Sequence, residues 1–187
     1  MHCFRLTSYL IGVVQQNKCR RMVVSLYTLV FWLHLIGVFG FLISHGASSW
    51  GMLSLRKERQ PERIRALLEL SRTSLPLTYG FILMVIVTGL GNVFLGNWWG
   101  QLWPWTALGV GFVMSVLMYY LGTQYFNNVR KAVGLPYFEE RKRHPGGDPA
   151  PPEELEKQLG SSRAVLLASV GVAGLLVIVW LMVFKPF

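Results

Sequence analysis

The stretch that decides the fold is Val23 to His45, VVSLYTLVFWLHLIGVFGFLISH, which runs for 23 residues without a formal charge. As a helix it is about 34 Å long, enough to cross a hydrocarbon core of roughly 30 Å. His34 lies eleven residues from its start, about 16 Å deep and near the midplane. An ionisable side chain at that depth needs a partner, because hydrocarbon supplies no water. Helical steps of three, seven, ten, eleven and fourteen put Gly37, Phe41, Ser44, His45 and Ser48 near the same face. That face carries two imidazoles and two hydroxyls, with a gap where Gly37 has no side chain.

Three further apolar blocks follow, so spans are expected at 23–45, 75–95, 103–125 and 164–184, all within a membrane domain of residues 23–185. A composition that is 52% hydrophobic and 14% charged fits a polytopic membrane protein better than a soluble domain. The expected fold is all-α: an integral membrane four-helix bundle with both termini outside and an amphipathic cytoplasmic helix between spans 1 and 2. The net charge of +9 comes from Lys and Arg that flank the apolar blocks. They read as topology signals and contacts to anionic headgroups, which makes the lipid bilayer the partner and argues against nucleic acid.

Residues 1–22 form an N-terminal tail with a short apolar run, Phe4 to Val14, and then the basic residues Lys18, Arg20 and Arg21. A signal peptide is one reading, but the apolar region from Val23 is twice too long for a signal core, which favours a retained helix. A native start at Met22 is another, and it would remove a basic tail from the side opposite the basic loops. Cys3 and Cys19 match no metal-site spacing and do not establish a disulfide.

The Trp50–Ser74 connection carries six Arg and Lys against three Glu and is expected on the cytoplasmic side. Beyond Pro61, residues Ile64, Leu67, Leu68 and Ser71 repeat at amphipathic spacing, as in a helix on the inner leaflet or one packed beneath the bundle. The connection between spans 2 and 3, GNWWGQLWPW, is uncharged and holds Trp98, Trp99, Trp103 and Trp105, a density that belongs at a membrane interface. In span 3, Ala107, Gly111 and Ser115 form a ridge of small residues that lets helices approach. Residues 134–162, with ERKRH (Glu140 to His144) and PGGDPAPP (Pro145 to Pro152), read as a flexible cytoplasmic loop, to which Glu153 to Leu159 adds a short helix.

A midplane histidine beside glycines is compatible with haem b. Iron takes an imidazole as axial ligand, and the gap at Gly37 would admit a flat macrocycle. The candidate cofactor-binding residues are therefore His34, Gly37, His45 and Tyr119, with His34 as the metal ligand. His45 lies about 16 Å along the axis from His34, too far to share one iron. A second ligand would be the same histidine of a second copy, Tyr119, or none. The competing reading is that His34 hydrogen-bonds a neighbouring helix and His45 sits at headgroup level. Copper fits less well because the seven methionines are scattered, with only Met114 and Met118 at helical neighbour spacing. No ionised side chain lies inside a span to support transport, and no nucleophile motif, phosphate loop or membrane carboxylate pair identifies a catalytic residue.

The first-span WLHLIGVFGFLISHG (Trp32 to Gly46), the basic loop after it, and the run from Trp105 to Arg130 resemble the four-helix bacterial membrane proteins related to copper-resistance protein D and to membrane-bound protoporphyrinogen oxidase. The resemblance covers residues 23–185 and implies location in the bacterial cytoplasmic membrane and a haem role for His34. The oxidases carry a lysine early in the third span, where this chain has Thr106, Ala107 and Leu108. It is therefore more similar to their uncharacterised relatives. Two functions follow: a haem b protein in electron transfer or porphyrin metabolism, or a non-enzymatic subunit or assembly factor, as a homodimer or within a larger membrane complex.

Overall fold

The computed structural model describes residues 2–139 and 142–187, with side chains from residue 22 onward. Five helices and one small hairpin appear in the order α1 (His2–Leu55), α2 (Pro61–Leu95), α3 (Trp103–Ala132), β1 (Tyr137–Glu139), β2 (Lys142–His144), α4 (Pro152–Leu159) and α5 (Arg163–Phe184). Four helical stretches are long and apolar enough to cross a membrane: Met22–Leu55, Pro61–Leu95, Trp103–Ala132 and Pro152–Phe184. Each contains one of the four spans expected from the sequence.

Many large apolar side chains face outward, and several polar ones face inward. His34, Ser44, Ser71, Thr78, Thr88 and Asn92 are buried, while Ile43 is 73% exposed, Phe112 70% and Leu176 65%. Lipid tails solvate such an apolar exterior, so helices associate through close backbone approach and hydrogen bonds, and the hydrophobic effect contributes little between them. On α1 the buried positions include 34, 37, 44, 51 and 55, and on α2 they include 64, 71, 78, 88 and 92. Spacings of three, four and seven residues mark a seam, along which α1 and α2 pack extensively. Thr78 donates to the Ser74 carbonyl and Ser74 to that of Ser71, so these hydroxyls are satisfied within their own helix.

The helices form two pairs, α1 with α2 and α3 with α5, and the pairs touch each other sparsely. In the second pair, Met114 fills the notch at Gly174 and Met118 the one at Gly171. The pairs join at the basic end, where Leu55, Ile64, Leu68, Tyr125, Val129 and Leu159 form a buried core drawn from α1, α2, α3 and α4.

Three features differ from the sequence reading. The amphipathic segment after Pro61 is not a separate helix on the leaflet but the first turns of α2, with Ile64 and Leu68 buried against the end of α1. Pro76, the second residue of the expected span 75–95, lies inside α2, which begins at Pro61. The fold is not purely helical, because the 134–162 connection carries a two-stranded hairpin as well as α4. Asn127 fastens that hairpin to α3: its Nδ2 donates to the Phe138 carbonyl (2.7 Å) and its Oδ1 accepts from the Phe138 N–H (3.2 Å). Arg130 Nε donates to the Pro136 carbonyl at 2.7 Å. Leu159 of α4 is 1% exposed, so this connection is anchored more than its Pro and Gly content implies. Within it, Glu140 and Arg141 of ERKRH lie outside the described residues. The tail preceding Met22 continues α1 as helix from His2, and the side chains of Cys3 and Cys19 lie outside the described ones.

Candidate functional site

His34 sits in the α1/α2 seam and is 9% exposed. Its Nδ1 lies 3.1 Å from the Val85 carbonyl and 3.1 Å from Thr88 Oγ1. A carbonyl only accepts, so Nδ1 carries the proton and donates. The Thr88 hydroxyl spends its own proton on the Met84 carbonyl at 2.6 Å, which leaves its oxygen free to accept from the ring. In the neutral ring this places the proton on Nδ1 and leaves a lone pair on Nε2, which has no hydrogen-bond donor among the described residues. Gly89 makes room for the ring: a Cβ there would stand 3.2 Å from His34 Cε1.

The remaining candidates do not converge on this ring. A Cβ on Gly37 would meet Val85 Cγ2 at 3.1 Å and Met84 Cγ at 3.3 Å, so the gap in α1 is already filled by α2. One turn further on, the Phe81 ring lies directly over Gly40. His45 stacks on Phe41 with centroids 5.2 Å apart and planes at 12°. Its Nε2 is 3.6 Å from where a Cβ on Gly171 would stand, next to Met118, so it marks the crossing of α1 with the second pair. Tyr119 is 59% exposed on the apolar exterior, edge-on to Tyr120. Among the described residues no group of three or more His, Cys, Asp or Glu is placed to hold a metal.

Haem therefore meets half of its requirements here. A ring whose Nδ1–H is held by a backbone carbonyl presents Nε2 as a ligand atom, the arrangement common to metal-binding histidines. The volume for the macrocycle is absent, because Val85 and Met84 occupy the place that Gly37 was expected to leave open. Thr88 was not among the sequence candidates: its place beside Gly89 was the available signal, but Thr78 and Asn92 in the same span are polar as well. Comparison with known proteins gives no matching family model, curated protein or solved structure.

Proposed function

We propose that this multi-pass membrane protein is a non-enzymatic subunit or assembly factor of a larger membrane complex. The observation that carries the reading is the use made of His34. The one ionisable group at mid-span serves as a clasp between α1 and α2, and the neighbouring notches are filled by Phe81, Val85 and Met84. What remains for function is surface: large apolar side chains outside, tryptophans at one end and basic loops at the other. Such a chain offers helix faces to lipid and to partner helices. Solubilisation in a mild detergent followed by affinity purification and native mass spectrometry tests this. Co-purification of a stoichiometric membrane partner is expected, whereas a protein that migrates alone as a monomer overturns the reading.

A second reading, haem b held by His34 in a protein of electron transfer or porphyrin metabolism, is supported by the unengaged Nε2. It also keeps the resemblance to relatives of copper-resistance protein D and membrane-bound protoporphyrinogen oxidase in play as a proposal. It requires α1 and α2 to separate around Gly37, so it conflicts with the packing that supports the first. An absorbance spectrum of the purified protein separates them: a Soret band lost in His34→Ala favours haem, and its absence in the wild type removes that reading. Placement in the bacterial cytoplasmic membrane belongs to the same proposal and rests on that resemblance, and the orientation with both termini outside rests on the basic loops.

A further inference from the structure

At the end opposite the basic loops, the chain places an ammonium group on two indoles. Lys185 Nζ lies 4.1 Å from the Trp98 ring centroid and 5.5 Å from that of Trp103. The two rings are 5.5 Å apart at 58°, and Tyr27 of α1 meets Trp98 edge-on at 6.0 Å and 88°. Trp103 is 6% exposed, its Nε1–H donates to Gln101 Oε1, and its backbone N–H donates to the Phe187 carbonyl at 3.2 Å. The Trp98 N–H donates to the Val93 carbonyl at 2.9 Å, so the backbone that carries each ring is itself hydrogen-bonded.

Lys185 ends α5 as its left-handed C-cap (φ 45°), with its N–H donating to the Leu181 carbonyl, and this turn carries its side chain to the indoles. No Asp or Glu lies in residues 22–33, 96–107 or 176–187, and the side-chain contacts of the ammonium are the two indole faces.

We propose that Trp98 and Trp103 form a seat for an organic ammonium group, filled by the chain's own Lys185 and open to a choline- or ethanolamine-type ammonium, from a lipid headgroup or a free solute, when the lysine leaves. Tryptophan-rich ends lie at headgroup depth, where such groups are concentrated. Ring faces attract any cation within about 6 Å, and substituted ammonium groups are desolvated most easily. With a zwitterionic lipid the exchange conserves charge contacts: the headgroup ammonium takes the indoles and Lys185 takes the headgroup phosphate.

The test uses the full chain in nanodiscs, labelled with 5-fluorotryptophan and read by fluorine NMR, with the Trp98 and Trp103 signals assigned through W98F and W103F. In phosphatidylglycerol discs, Lys185→Gln is expected to shift both signals, while Lys185→Arg leaves them near wild type. Titrating Lys185→Gln with tetramethylammonium, or replacing part of the lipid by phosphatidylcholine, is expected to produce a saturable return shift. In wild type the response is at least about tenfold weaker, and in the double variant Trp98→Leu, Lys185→Gln the Trp103 signal gives none. A response to the lipid alone identifies the headgroup as the occupant, and a response to the free cation identifies a solute site. Signals unmoved by Lys185→Gln, or no saturable response to either probe, overturn the proposal.

Discussion

His34 shows how a membrane interior converts one polar residue into an organising contact. The ring donates to Val85 and Thr88 of the facing helix and packs closely over Gly89, where a Cβ would stand 3.2 Å from its Cε1. His34→Ala is expected to destabilise the protein by about 1–3 kcal/mol, combining the lost hydrogen bond with the void. Thr88→Val should cost about 0.6 kcal/mol, and a double-mutant cycle by unfolding in mixed micelles should show that the two losses are not additive. Tyr125 presents the opposite case. It is 1% exposed, and its hydroxyl has no partner among the described residues. Tyr125→Phe is therefore expected to be neutral or to stabilise by up to about 1 kcal/mol in the same assay. The importance of His34 was readable from its depth in a charge-free stretch. Its partner was not, because Thr88 is 54 positions away and periodicity within one helix carries no information about its register against another.

At the level of elements, the α1/α2 seam depends on notches. Gly40 receives the Phe81 ring, whereas nothing lies within 4 Å of a Cβ built on Gly80. Gly40→Leu should therefore cost about 1–3 kcal/mol by overpacking, while Gly80→Ala should leave thermal stability unchanged or slightly raised. The turn between the two helices is held by Glu58, whose carboxylate accepts from the backbone N–H groups of Arg59 (2.9 Å) and Gln60 (3.0 Å). These two hydrogen bonds, first Gln60 and then Arg59, hold its carboxyl below the usual carboxylate range. A lowered folded-state value means that the turn gains stability above the ordinary range and loses it as pH falls through the lowered one. Hydrogen exchange at residues 59–64, compared between wild type and Glu58→Gln, should differ near neutrality and converge in acid. The apolar blocks made all four long helices legible. Their true ends were obscured because Ile64 and Leu68 have the spacing of a surface helix, although α2 continues through them into the span. The hairpin was missed because strands of three residues, YFE and KRH, held by Asn127 from another element, are too short to carry a periodic pattern of their own.

For the whole molecule, basic residues gather in the α1–α2 turn and the α3–α5 connection, and tryptophans in the α2–α3 connection, which separates two chemically different ends. Cysteines introduced at Lys57 and Lys142, in a background lacking Cys3 and Cys19, should react with a membrane-impermeant maleimide from the same side, and one at Asn97 from the other. Labelling all three from one side would break the four-crossing arrangement. The grouping into two pairs could not be read from the chain, since every span displays glycines and only the three-dimensional fit shows which are filled, Gly40 by Phe81, Gly171 by Met118 and Gly174 by Met114. One consequence follows from Pro76. A proline inside α2 removes a rung from its backbone ladder near the join between its amphipathic beginning and its apolar length. A rod with a joint at that height flexes there more cheaply than elsewhere, so a change of tilt between the core-anchored first turns of α2 and the length that carries Thr88 is expected to fall at this proline.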